Sequence, residues 1–328
     1  MSERHTERDS LVSRGARFVL RVVDEKMRHR PSPRSERILL VVAFVAFVVL
    51  GVLAVTNFPD VGTGVRWELL VPVGLVGMAL NLLFNALEFD VTARFVGHRV
   101  RLGRALHVTI LGSAANLLPL PGGALVRTQA LTAEGARYRH TLTTAAVIGL
   151  MSVGAQFLLV GVANVAEASL GVVVLLIGIG LAVLAVSVGV LRTAADTAKA
   201  ARFGCYMLAV EIAYAAVAAV RMWLIFKGLG IEVSLPATFA ISGVGSIATA
   251  IGFFPGALGV KELLTGLVGP LVGVSVAVGV TGAVVSRLFG FAVLAVASGF
   301  LFVRDARKHA PPDPELRDDI AEYQAEIG

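Results

Sequence analysis

The sequence predicts an all-α polytopic membrane protein with about six spanning helices and two re-entrant broken-helix hairpins in an inverted repeat. Three observations predict it. The first is composition: 56% of the 328 residues are hydrophobic, 16% are charged and the mean hydropathy is +0.80, whereas soluble domains carry about 25% charged residues. The second is segregation, with long uncharged runs separated by short segments holding several charges. The third is a pair of apolar regions, each interrupted by proline and glycine, that resemble one another.

Residues 1–37 contain ten Arg/Lys and six Asp/Glu. Leu11, Val12, Phe18, Val19, Val22 and Val23 share one helical arc, and Arg14, Arg17, Arg21 and Asp24 the opposite arc, with Leu20 the exception. This pattern fits an interfacial helix on an anionic leaflet, or a soluble amphipathic helix packed on cytoplasmic loops. So long a polar lead is not a signal peptide, so the run Ile38–Phe58 is expected to be an uncleaved first span. Further spans are expected at about Leu69–Leu87, Thr141–Ala163, Leu170–Leu191, Cys205–Phe226 and Ser275–Val303. Each reaches the ~20 residues needed to cross the hydrocarbon. The tail from Arg304, with Pro311-Pro312-Asp313-Pro314 and an acidic end, reads as a disordered linker and a short surface helix. The expected domains are therefore a basic N-terminal segment (1–37), a transmembrane domain (38–303) and a cytoplasmic tail (304–328).

Two regions do not fit the span template. Ala105–Leu131 is broken by Pro119-Leu120-Pro121-Gly122-Gly123, and Pro236–Leu271 by Pro255-Gly256-Ala257. Proline removes a backbone donor and clashes with the preceding turn, while glycine lets the chain reverse. Such breaks are tolerated at membrane depth only inside protein or along a cavity. The alternative is two kinked full spans. Charge placement favours hairpins: with six spans and an inner N-terminus, 23 of the 29 Arg/Lys lie inside and only Arg66 and Lys227 outside. If both regions crossed, Arg137, Arg139, Arg192, Lys199 and Arg202 would move outside, against the positive-inside rule. The expected location is the cytoplasmic membrane, multi-pass, with both termini cytoplasmic.

The broken regions also match in detail. Pro121-Gly122 followed by Val126-Arg127 recurs 134 positions later as Pro255-Gly256 followed by Val260-Lys261. Repeat units of about 69–163 and 205–303 follow, and the topology inverts one relative to the other, as in secondary transporters. The second half-helix of each hairpin then begins near the midplane, at Gly123 or Ala257, with its unpaired N–H groups and positive dipole end facing a cavity. Arg127 and Lys261, about one turn in, add full charges. Two such ends suit a phosphate or carboxylate.

Arg127, Arg221, Lys261, Arg287, Glu211 and Glu262 all fall within apolar segments, where each charge costs about 2.5–3.5 kcal/mol at mid-span. Structural pairing is one outlet, for example Glu262 with Arg287 and Glu211 with Arg127. Two carboxylates neutralise only two of four cations, which makes an anionic ligand a reasonable partner for the remainder. Arg221 is a weaker candidate because it lies near a span end and is placed to snorkel. Asn116, just before the first break, is suited to satisfying freed backbone groups or capping a helix. The candidate binding set is Arg127, Lys261, Glu262, Arg287, Asn116, Gly122, Gly123, Pro255 and Gly256. No metal or cofactor is expected: the six histidines are scattered and the single cysteine, Cys205, reads as a small core residue. Nucleophile-elbow, phosphate-loop and zincin patterns are absent from the sequence. Nucleic acid is not an expected partner, because the basic residues sit at span ends rather than on a soluble surface.

These residues carry a resemblance. The run Phe254-Pro255-Gly256-Ala257-Leu258-Gly259-Val260-Lys261-Glu262 resembles the Pro-Gly-Gly-Leu-Gly-Val-Arg-Glu signature of the transmembrane, flippase-like region of the lysylphosphatidylglycerol synthase family. Asn116-Leu117-Leu118-Pro119 with Gly123 and Arg127 is similar to the family's Asn-x-x-Pro…Gly-Glu-x-x-Arg element, and Arg287 matches its later arginine. The resemblance covers about residues 38–303. Ala257 and Lys261 replace a glycine and an arginine, Ala124 stands where the family often has glutamate, and Pro121 where it often has a basic residue. In fused family members a soluble synthetase domain aminoacylates the lipid and the membrane region translocates it. The resemblance therefore implies lipid handling without aminoacyl transfer, in a stand-alone membrane region.

The functional expectation is a non-enzymatic, flippase-like protein that translocates or binds an anionic phospholipid or a polyprenyl-phosphate-linked carrier. The alternatives are a membrane-embedded lipid-modifying transferase, for which Glu88 and Asp90 are the acids in reach, and a non-transporting accessory subunit of a lipid or glycan assembly complex. The partners these readings admit are a lipid-modifying enzyme or glycosyltransferase, and a second copy of the chain.

Overall fold

An unpaired backbone group in hydrocarbon costs several kcal/mol, so an apolar chain of this composition satisfies its amides within helices. The computed structural model describes residues 64–116, 122–194, 196–251 and 260–308, and all regular structure among them is helical. The expected first span, the N-terminal amphipathic segment, the tail beyond residue 308 and the breaks at Pro119–Pro121 and Pro255–Gly256 lie outside the described residues.

The helices are α1 (Trp67–Val96), α2 (Leu102–Ala115), α3 (Gly122–Thr132), α4 (Tyr138–Ala163), α5 (Leu170–Ala194), α6 (Thr197–Gly228), α7 (Leu235–Ile251), α8 (Val260–Val268) and α9 (Val276–Lys308), with a 3-10 turn at Gly269–Val272. Five of them, α1, α4, α5, α6 and α9, are long and apolar enough to cross a membrane. They coincide with five of the six expected spans.

Two spans run longer than their apolar windows. Helix α1 continues past Leu87 through Glu88, Asp90 and Arg94 because nothing in that stretch breaks a helix, and Asp90 pairs with Arg94 one turn on at 2.6 Å. It stops at Gly97, whose left-handed φ of 99° closes the end while the amides of Gly97 and His98 donate to Arg94 and Ala93. Helix α6 starts eight residues before Cys205, where the Asp196 side chain accepts from the Lys199 amide at 2.8 Å.

Contacts at the helix ends fix the topology. The Arg66 amide donates to the Gly228 carbonyl at 2.8 Å, and Gly77 faces the Arg221 side chain, so α1 and α6 run antiparallel along their lengths. Helices α4 and α5 approach most closely, with Gly180 against the Leu158 backbone and the Gly154 carbonyl; a Cβ there would lie 2.7 Å from the Leu158 nitrogen. Small residues let the backbones of packed spans come together in this way.

Neither broken region crosses. Helices α2 and α3 pack against each other. At one end Gly112 meets Gly123, and at the other Arg104 pairs with Glu134 at 2.9 Å. Both open ends lie on the face where α1 finishes, near Arg94, and α4 begins, after Arg137. The second hairpin, α7 and α8, opens on the opposite face. There Val233, Ala237 and Ile241 share a core with Phe226, at the end of α6, and Val274, which follows the 3-10 turn. Asn164 donates to the Pro236 carbonyl at 3.2 Å and Ser234 to Glu167 at 3.0 Å, which ties the end of α4 to the start of α7. At 14 and 11 residues, α2 and α3 are about 21 and 16 Å long, short of a ~30 Å hydrocarbon core. Finally α9 returns to the first face, where Arg304 lies 3.0 Å from His107 of α2.

The long–short–short–long order of α1–α4 thus recurs inverted in α6–α9, with α5 between them. One face of the bundle holds Arg94, Arg99, Arg101, Arg104, Arg137, Arg192, Lys199, Arg202 and Arg304. The other holds Arg66 and Lys227.

Candidate functional site

The buried charges gather in two clusters, one in each half of the bundle. On α1, Asn81, Asn85 and Glu88 recur at helical spacing as a polar stripe in an otherwise apolar span. Arg127 of α3 meets this stripe: its Nη1 is 2.6 Å from Glu88 Oε1, and Nη2 donates to the Asn85 carbonyl at 3.4 Å. Glu211 of α6 is buried beside them, hydrogen-bonded by Ser152 of α4 and in electrostatic reach of Glu88 and Arg127. The expected partner of Arg127 was Glu211; the structure gives that contact to Glu88, whose stripe on α1 the hairpin packs against. Two carboxylates therefore surround one guanidinium in this half. Glu88 lies eight residues, about 12 Å, from the arginine-rich end of α1.

The second cluster lies toward the other face. Glu262 of α8 is fully buried, and Arg287 Nε of α9 stands 2.6 Å from its Oε1. Lys261 is half-buried, in electrostatic reach of Arg287, Arg221 and Glu262. Arg221 does not snorkel, although it is only seven residues, about 10 Å, from the end of α6. It is 5% exposed because Gly77 of α1 leaves room for its stem. Its Nη1 touches Met78 Sδ, and Asn81 Oδ1, in the amide orientation that satisfies both ends, accepts from it at 2.9 Å. Its Nε has no hydrogen-bond partner among the described residues. Tyr214 sits between the clusters, in electrostatic reach of Arg221 on one side and of Glu211, Glu88 and Arg127 on the other.

The remaining candidates resolve as follows. Asn116 reaches across the first break and accepts from the Gly123 amide at 2.7 Å. One donor of the α3 N-terminus is thus already satisfied from within the chain, and a Cβ on Gly123 would collide with that amide side chain. Gly122 opens α3. Pro255 and Gly256 are outside the described residues. Glu262 and Arg287 are paired with each other, which was the structural outlet foreseen for them. Arg221 and Glu88 are the residues that sequence reasoning underweighted. The Asn81–Asn85–Glu88 stripe was the signal for Glu88; Glu211, Tyr214 and Arg221, recurring on one face of α6, were the signal for Arg221. Among the described residues no group of His, Cys, Asp and Glu is arranged to hold a metal.

Spans packed around opposed hairpins, with ionisable side chains buried between them, define a polytopic helical membrane domain with a polar interior. The chain belongs to the family of the lysylphosphatidylglycerol synthase TM region, which matches residues 37–298. That family comprises the membrane regions of lipid-related proteins. No curated protein matches the chain.

Proposed function

We propose that this protein is a flippase-like membrane protein that binds an anionic lipid headgroup and carries it between leaflets, without catalysing its modification. The observation that carries the reading is the second cluster, which holds three cations, Arg221, Lys261 and Arg287, and one carboxylate, Glu262, among the described residues. Charges at this depth are retained at a cost of about 2.5–3.5 kcal/mol each, which a binding role accounts for. The tails remain in lipid while the headgroup enters between the hairpins. The opposed hairpins support alternating access, since each opens on one face only. The arginine-rich face is the cytoplasmic one by the positive-inside rule, in the plasma membrane. A transferase reading finds little support, because Glu88 and Asp90 are each held by their own arginine.

The test is a leaflet-sidedness assay in proteoliposomes with fluorescent anionic lipid. Lys261→Gln and Arg287→Gln proteins that remain folded are expected to move lipid at least about tenfold more slowly, the loss of one or more charge-assisted hydrogen bonds. Unchanged movement in both would remove the basis for the proposal.

A further inference from the structure

The second cluster holds more positive charge than its own residues neutralise. Resting on the anionic-headgroup reading above, we propose that it is a site for a lipid phosphate monoester, a headgroup with two negative charges, in preference to a phosphodiester lipid with one. Arg287 is answered by Glu262 at 2.6 Å, so the excess rests on Arg221 and Lys261. Arg221 is more than nine-tenths buried, touches only the neutral groups of Met78 and Asn81, and keeps an Nε donor without a partner among the described residues. Lys261 is half-buried by surface exposure and in electrostatic reach of Arg221, so the two cations belong to one cluster.

Among the described residues Glu262 is the one carboxylate in this cluster. Residues 117–121 and 252–259, which interrupt the hairpins, and the apolar run 38–58 contain no ionisable side chain. In the first cluster the cation is already answered, because Glu88 pairs with Arg127 and the carboxyl of Glu211 lies beside them. A phosphate monoester carries about −1.5 to −2 near pH 7 and presents three terminal oxygens, matching two excess cations and their several donors. A diester presents two free oxygens and one charge, which leaves one buried cation unanswered.

The experiment uses the full chain in phosphatidylcholine nanodiscs, offered phosphatidic acid or phosphatidylglycerol with identical acyl chains at equal mole fraction, with retained lipid read by native mass spectrometry. The monoester is expected to be retained about tenfold more tightly than the diester, one charge-assisted contact's worth. Arg221→Gln is expected to erase that preference, and Arg221→Lys to restore part of it. Lys261→Gln gives the same loss at a more open position, so the test stands even where Arg221→Gln fails to fold. Equal retention of the two lipids by the unmodified protein, or an undiminished preference in the folded glutamine variants, overturns the monoester assignment alone. Retention of neither lipid overturns the anionic-headgroup reading with it.

Discussion

At the scale of single residues, the Glu262–Arg287 pair shows what a buried charge does for this bundle. Glu262 is wholly removed from solvent and Arg287 nearly so. Their mutual attraction offsets a desolvation penalty that neither meets alone. Removing one partner is therefore worse than removing both: Glu262→Gln is expected to cost about 3–5 kcal/mol, and the double Glu262→Gln/Arg287→Met change markedly less. Thermal unfolding in detergent of the two single variants and the double closes that cycle. The Arg127–Glu88 contact differs, because both side chains keep some exposure, 25% and 16%, and Glu211 competes for the same guanidinium. That pair is better suited to breaking and re-forming than to holding the fold. The acid that meets Arg127 was not legible from segment order, since Glu88 and Glu211 both lie on spans flanking the hairpin. Only the angular position of Glu88, in line with Asn81 and Asn85, distinguishes it.

At the scale of elements, the apolar windows located every described span, and the Ala163 and Leu170 ends with them, but not the ends of α1 and α6 that run on into charged sequence. Hydropathy marks where hydrocarbon touches a helix, whereas the ends are set by local chemistry: Gly97 in the left-handed region for α1, and the Asp196 side chain for α6. The broken regions were legible as half-helices because proline and glycine are strong local signals. Their return to the same face was legible only through charge balance. Asn116 was legible as a group suited to the freed backbone at the first break; which amide it meets was not. It closes the break by accepting from the Gly123 amide, a contact between residues on opposite sides of the proline run. Asn116→Ala is expected to cost about 1 kcal/mol, as for other side-chain helix caps, and to raise hydrogen exchange at the first turn of α3. Asn116→Asp, which keeps the acceptor, is expected to restore protection there. Unaltered exchange in the alanine variant would show that the contact contributes nothing to the hairpin.

At the scale of the molecule, the hairpin topology makes a labelling prediction. In a Cys205→Ser background, single cysteines at Glu134 and Arg192 are expected to react with an impermeant maleimide from one side of sealed vesicles. Cysteines at Glu167 and Gly273 are expected to react from the other. Were a cysteine at Arg99, in the connection between α1 and α2, to label from the opposite side to one at Glu134, the first region would cross and the topology would be wrong. The inversion of the two units also depends on a helix that carries no site residue. A unit of two spans and one re-entrant hairpin makes an even number of crossings, so a copy joined directly to it would insert the same way up. Helix α5, with its single charge Arg192 near its last turn, supplies the one odd crossing between them. It is a parity element: its length and apolarity, rather than any particular side chain, decide that the acid-rich and base-rich clusters point toward opposite leaflets.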